Sequence, residues 1–316
     1  MSAHLVFGPV PSRRLGQSLG INNIPPKICT YACIYCQLGR TIRLRYRRSA
    51  YYSPEEIEQQ VRQRLQFLRG KNTRVDYLTF VPDGEPTLDL HLNEEIERLK
   101  AFHLPIAVIT NASLLHLPEV QETLRKADLV SLKIDAVDES TWRRIDRPHA
   151  RISFDDYLNG VQQFSRGYTG HFITETMLVR GINTTEAQLR ALAEFIGHLQ
   201  PKTAYLAIPT RPPAENFVLP PGEEMLNRAF QIFSQQIPHT EYLIGYEGNR
   251  FASTGNVKED LLSITAVHPM RRDAVLQLLQ KAGASFQVVE ELIQQGEMKE
   301  VEYQGEIFYL RKFSRN

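Results

Sequence analysis

Cysteine is scarce in this chain: three of 316 residues, with a single tryptophan and no apolar run near the roughly 18 residues that cross a bilayer. An odd count of three excludes a disulfide framework, which needs paired cysteines spread along the chain. An excess of charge is lacking too, because 37 Lys and Arg face 36 Asp and Glu for a formal net charge of +1. No global field therefore draws the molecule onto nucleic acid or a membrane, and any such attraction must be local. With 42% hydrophobic and 23% charged residues the composition argues against disorder or a fibrous repeat. The first fifteen residues hold no long apolar core ahead of a small-residue cleavage site, so a cytoplasmic protein of about two domains is expected.

All three cysteines fall in the stretch Cys29-Thr-Tyr-Ala-Cys33-Ile-Tyr-Cys36. A thioredoxin-like Cys33-x-x-Cys36 pair would leave Cys29 unexplained. Three close thiolates are soft ligands and narrow a metal to zinc, copper(I) or an iron–sulfur cluster. Structural zinc needs a fourth ligand, yet the nearest histidines in sequence are His4 and His91. A [4Fe–4S] cluster normally takes four cysteines, so three leave one iron open to a substrate or cofactor.

Cys-x3-Cys-x2-Cys with Tyr35 just before the third cysteine resembles the signature loop of the radical S-adenosylmethionine (radical SAM) enzymes. The wider stretch 8–40, GPVPSRRLGQSLGINNIPPKICTYACIYCQLGR, resembles the branch with the wyosine-synthase-like iron–sulfur oxidoreductases. The resemblance implies that Cys29, Cys33 and Cys36 hold three irons of a [4Fe–4S] cluster, while the amino and carboxylate groups of SAM chelate the fourth. The reduced cluster then breaks the carbon–sulfur bond of SAM, and the resulting 5′-deoxyadenosyl radical takes a hydrogen atom from substrate. It further implies an external electron donor such as flavodoxin or ferredoxin, and Tyr35 lying against the adenine.

Strand-like runs at 18–24, 75–81, 106–110, 129–136, 173–179 and 204–209 alternate with helical stretches. The first helix starts at Ser53-Pro54-Glu55-Glu56, a cap followed by proline and acids, and runs on Ile57, Val61, Leu65 and Leu68 to Gly70. Others are expected at 117–126, 155–165, 186–199 and 223–235. Such alternation indicates parallel βα units in an α/β protein. Six strands are too few for a closed eightfold barrel, and the resemblance implies a partial (β/α)6 TIM-type barrel over residues 1–250. Chemistry is then sought at the carboxyl ends of the strands.

There, Gly84-Glu85-Pro86-Thr87 resembles the family's glycine–glutamate segment, which receives the SAM amino group; Asp83 stands where that pattern has its first glycine. Pro82-Asp83-Gly84 would also make a turn unaided. Thr110-Asn111 resembles a further family segment. Ser131, Lys133 and Asp135 alternate on one face of the fourth strand, facing a lumen where polar groups must pair or meet a ligand. Lys133 with Asp135 as an internal ion pair, and both as tentative catalytic groups, are equal readings. Glu175 and Met177 share a face of the fifth strand, Asn183 follows in the region the resemblance assigns to SAM, and Arg211 ends the sixth.

Arg40, Arg43, Arg45, Arg47 and Arg48 crowd nine residues beside Tyr46, Tyr51 and Tyr52. Arginine interleaved with aromatics suits phosphate contact and base stacking, making RNA a candidate partner; the plain alternative is a solvated segment paired to Glu55 and Glu58. Beyond the Gly-rich stretch 245–249, helices at 257–267, 271–282 and 286–295 and a hairpin at 299–303 and 307–310 resemble a winged helix over 251–316, with Ser285 as cap of the last helix. That helix carries Glu290 and Glu291 and no Lys or Arg, so it would repel a duplex backbone, and no sequence-specific DNA reading is expected. Basic Arg311, Lys312 and Arg315 favour docking of a substrate or partner instead. The lack of a fourth cysteine disfavours wyosine synthesis proper and methylthiolation, which use auxiliary clusters in their families, and leaves no cysteine pair for methyl transfer. Single-cluster hydrogen abstraction from RNA remains, beside the same chemistry on a small metabolite or peptide. A non-enzymatic metal- or redox-sensing regulator would leave the GEPT segment and the βα units unexplained.

Overall fold

The computed structural model describes residues 5–244 and 256–312. The expected boundary near 250, the stretch 245–249 and Arg315 lie outside them. β1 (Val6–Ser12) and β2 (Gly16–Ile21) make an antiparallel hairpin; β3 (Ile28–Cys29) and β4 (Arg43–Leu44) form a short parallel pair beside the cysteines. β5 (Tyr77–Phe80), β6 (Ile106–Thr110), β7 (Leu129–Lys133), β8 (His171–Met177), β9 (Thr203–Ala207) and β10 (Thr240–Leu243) continue in parallel from β2. The sheet order is β1-β2-β5-β6-β7-β8-β9-β10, an open half-barrel.

The six anticipated strands form the middle of this sheet, and two edge strands join them. β1 escaped the sequence pattern because Pro9 and Pro11 interrupt it, and an edge is where a strand tolerates proline. β10 is only four residues long.

Side-chain alternation divides the sheet. Leu78, Phe80, Val108, Val130 and Leu132 face outward into one core with Ile57, Val61, Leu189 and Ile196 of the covering helices. Inward, Leu15 packs with Ala107, Leu129 and Ile173 and plugs one end of the lumen. Each fully buried Val, Leu or Ile among them stabilises the fold by about 1.5–3 kcal/mol. Beyond the plug the lumen turns polar: Ser18 donates to Thr79 at 2.7 Å, and Ser131, Lys133 and Glu175 follow.

The helices are α1 (Pro54–Gly70), α2 (Leu92–Leu99), α3 (Pro118–Leu124), α4 (Glu139–Ile145), α5 (Phe154–Gly167), α6 (Glu186–Leu199) and α7 (Glu223–Gln236). Ser53 caps α1 by accepting from the Glu56 N–H at 3.1 Å, while Thr185 and Gln188 cap α6 reciprocally.

After residue 255 come α8 (Val257–Val267), β11 (Met270–Arg271), α9 (Arg272–Ala282), α10 (Gln287–Gln294), β12 (Met298–Tyr303) and β13 (Glu306–Arg311), with strand order β11-β13-β12. Leu261, Val275, Leu279, Leu292 and Tyr309 build a separate core. Gln304 and Gly305 both have positive φ, 52° and 75°, as the tight hairpin turn requires. The expected cap is corrected: α10 has Phe286 at its N-cap with no side-chain bond, so Ser285 lies one residue too early. This unit seats on the half-barrel, where Ala266 and Val267 pack on Phe7, Tyr303 donates to the Pro209 carbonyl (3.2 Å) and Gln37 to that of Val267 (3.3 Å).

Candidate active site

The cysteine segment is hung on the end of α4: the Ala32 N–H donates to the Asp146 carbonyl at 3.0 Å and that of Ile34 to Ile145 at 2.9 Å. Ile34 is buried between Ile145, Val179 and Val218, so an apolar anchor holds the loop while the cysteines on either side turn elsewhere. They turn to a cavity of about 270 Å³ at the carboxyl ends of the strands.

Cys29, Cys33, Tyr35, Cys36, Gly84, Glu85, Thr110, Asn111 and Lys133 all border that cavity, whereas Pro86, Thr87, Ser131, Asp135 and Asn183 do not. The three thiols are free. Burial pushes Cys29 up to about 12 and raises Cys33 well above the ordinary thiol range, with Asp146 adding to the latter. A metal that took these sulfurs would therefore have to displace protons held firmly. Among the described residues no three of His, Cys, Asp and Glu are placed around a single ion. A cluster that spreads one thiolate to each of three irons needs no such convergence.

Gly84 ties the second loop to the first. A Cβ there would lie 1.7 Å from the Ile28 carbonyl oxygen, one residue before Cys29, so only glycine permits the approach. Glu85, fully buried, accepts from Thr87 N–H (3.1 Å), Thr87 Oγ1 (2.6 Å), Thr110 Oγ1 (2.6 Å) and Asn111 N–H (2.8 Å). It fastens the end of β6 to the GEPT loop. Asn111 then donates to Thr30 Oγ1 (2.8 Å) and reaches Cys29 Sγ at 3.6 Å. Asp83 borders the cavity 2% exposed, and neither carboxylate oxygen has a partner among the described residues.

The fourth-strand trio is paired otherwise than with itself. Lys133 Nζ bonds Glu175 Oε1 at 2.8 Å, its register neighbour on β8, and lies 5.1 Å from the centre of the Tyr35 ring. Arg14, from the β1–β2 turn, takes the other oxygen of Glu175. Asp135 accepts from the Tyr35 hydroxyl and from the Met177 N–H (2.6 Å), and Asp146 accepts from Cys33 Sγ at 3.4 Å. The ion pair of Lys133 is thus with Glu175, and Asp135 serves Tyr35. Asn183 spends its amide on backbone, donating to the Asp135 and Met177 carbonyls (2.9 and 2.8 Å) and accepting from Val179 (2.9 Å); it sets a loop.

The arginine segment divides. Arg48 donates to the carbonyls of Thr87 (2.9 Å) and Asp89 (2.8 Å), bracing the GEPT loop, and Arg40 pairs with Glu215 at 2.8 Å. Arg43, Arg45 and Arg47 are exposed. Glu55 and Glu58 pair with Arg98 and Arg62 rather than with this segment. Sequence reasoning passed over Arg14, Lys27 and Asp146; only tertiary contact brings them in.

A half-barrel with three cysteines at one cavity is the layout of radical SAM enzymes, and residues 23–196 match the radical SAM superfamily, to which this chain belongs. The superfamily's [4Fe–4S] cluster and SAM are accordingly its cofactors. More particularly, the chain is 46% identical over 309 residues to a UPF0026 protein of Methanocaldococcus jannaschii, covering 97% of this chain and 96% of that one. It is 34% identical over 211 residues to a UPF0026 protein of Helicobacter pylori strain J99, covering 66% and 67%. A solved radical SAM methyltransferase from Sphaerobacter thermophilus shares the fold, with TM-score 0.53 and 17% identity over 72% of this chain and 67% of that one.

Proposed function

We propose that this enzyme cleaves SAM reductively at a single cluster held by Cys29, Cys33 and Cys36 and abstracts a hydrogen atom from a substrate in the cavity. The observation that carries the reading is that three free thiols, on a loop pinned by Ile34 and Gly84, border one cavity. Bound there, the cofactors would supply hydrogen-atom abstraction, drawing one electron from an external donor such as flavodoxin or ferredoxin. This chain's residues bind and orient: Gly84 and Glu85 with Thr110 and Asn111 form the rim that receives the methionyl end, Asn111 steadies Cys29, and the Leu15 plug keeps bulk water from the lumen. Tyr35, held by Asp135, keeps its ring at the cavity wall for the adenine.

The reading extends to a cytoplasmic, wyosine-synthase-like enzyme with a winged-helix-like unit after about residue 250. Three helices and a three-stranded sheet closed by a tight hairpin support that last part. RNA is the first substrate reading, ahead of a small metabolite or peptide, and is supported by exposed Arg43, Arg45 and Arg47 at alternate positions beside the cysteine loop. Replacing these three with Ser would leave turnover unchanged with every candidate RNA if that reading is wrong.

Anaerobic reconstitution with iron and sulfide tests the chemistry. The reduced protein should give a four-iron EPR signal that changes on adding SAM, and should form 5′-deoxyadenosine slowly without substrate. Binding of one zinc, or a cluster indifferent to SAM, overturns the proposal.

A further inference from the structure

Glu175 is shared by two cations. Its Oε1 receives Lys133 Nζ and its Oε2 receives Arg14 Nη1, and all three side chains border the cavity that holds the cysteines. Arg14 leaves the β1–β2 turn beside Leu15, whose side chain plugs the lumen, so the pair stands above an apolar floor. An ammonium offers three N–H donors and a guanidinium five. Among the described residues, the direct bonds of these two groups are the ones to Glu175. Arg14 Nε is buried and has no acceptor among the described residues. The nearby Asp135 supplies none of the missing acceptors, because its oxygens are turned to the Tyr35 hydroxyl and the Met177 N–H. Unmet donors of charged groups in a sheltered site are costly, and the ligand chemistry that answers them is a group rich in anionic oxygen.

We propose that the substrate carries a carboxylate or phosphate group and that Arg14 and Lys133 receive it in the lumen, with Glu175 holding the two cations ready between turnovers. The proposal rests on the radical SAM reading for its reaction but not for its binding step, so the two can fail separately. Glu175 acts here as a built-in competitor: it presents the same acceptor chemistry as the ligand, and removing its charge should tighten anion binding. Loss of Arg14 should weaken it. A merely structural role for the trio predicts neither of these opposite signs.

The test uses the reconstituted holoenzyme under argon at constant ionic strength set with chloride, titrated with inorganic phosphate and, separately, malonate. Thermal stabilisation and calorimetry are the readouts. Wild type should bind one of the two probes, Arg14→Gln should bind it on the order of tenfold more weakly, and Glu175→Gln should bind it more tightly with a larger thermal shift. Preference for phosphate over malonate, or the reverse, names the ligand's head group. Arg14→Gln should leave the SAM-induced change in the EPR signal intact. Equal binding by wild type and Arg14→Gln, or no binding of either probe, overturns the proposal. So does loss of the SAM response in Arg14→Gln, which would assign the cations to the carboxylate of the cofactor itself. An EPR signal indifferent to SAM alongside normal anion binding would sink the reaction instead and leave the anion site standing.

Discussion

Asp83 carries a charge problem that a glycine would not. Its carboxylate oxygens are buried with no partner at hydrogen-bond distance among the described residues, and burial raises its pKa from the ordinary 3.8 to about 7 despite Lys27, Arg311 and the Asn22 side chain nearby. The folded chain therefore binds more protons than the unfolded one between about pH 4 and 7. Stability falls as pH rises through that window, by up to about 1.4 kcal/mol per unit, and the deficit persists above it. Asp83→Asn should accordingly be the more stable protein at pH 8, with the difference shrinking toward pH 4.5; chemical denaturation of the apoprotein at both values measures it. A pH-independent difference would show that the carboxyl is solvated. At this scale the gathering of the three cysteines at one cavity was legible, because it follows from their close spacing, which sequence displays. Arg14 was not, since it reaches Glu175 across 161 residues that only the closing sheet brings together. Tyr35 was half legible: its position beside the cysteines could be read, but not the hydroxyl bond to Asp135 that fixes the ring.

Loops and helix starts position the site. Gly84 brings the end of β5 against the backbone of Ile28, and an added methyl would meet a carbonyl rather than a movable side chain. Gly84→Ala should cost about 1–3 kcal/mol. Because the strain falls next to Cys29, it should also lower iron content after reconstitution; normal iron loading with unchanged stability would show that the two loops move independently. The cap of α6 offers a contrast. Gln188, which completes it, also donates to the Ile182 carbonyl at 3.1 Å and to Thr141 Oγ1 at 2.8 Å, joining the cap to the loop that Asn183 shapes. Thr185→Ala should lower stability by about 1 kcal/mol in urea melts and leave iron content untouched. Equal damage to iron loading would place the cap within the support of the site. Among the helices expected from the sequence, α8 and α6 match their expected bounds. α2 and α4, of eight and seven residues, were not anticipated, whereas the equally short α3 and α10 were, so length alone does not decide which helices show.

Over the whole molecule, the parallel units were readable because each buried strand is an apolar run between amphipathic helices, while the arrangement of the unit after residue 255 was not, since nothing in its own periodicity says where it docks. It docks at the mouth of the cavity. Arg211, on the loop after β9, donates to Gln37 Oε1 at 2.8 Å and meets His268 Nε2 at 3.1 Å, and Gln37 follows Cys36 directly. Burial, with Arg211 adding, holds His268 well below its ordinary range, so the imidazole is neutral and accepts from the guanidinium. One side chain thus ties the cysteine loop, the last barrel loop and the end of α8 together. Its removal should be felt on both sides of the junction. Bonds of this charged kind contribute about 1.5–3 kcal/mol each, so Arg211→Ala should speed amide exchange roughly thirtyfold in residues 36–39 and 266–268 while α1 and α2 keep their protection. Exchange mass spectrometry of the reconstituted protein reads this directly. If only residues 208–213 loosen, the unit after 255 is held by its other contacts, the apolar one with Phe7 and the Gln37 bond to Val267 among them, and the cysteine loop is rigid without Arg211.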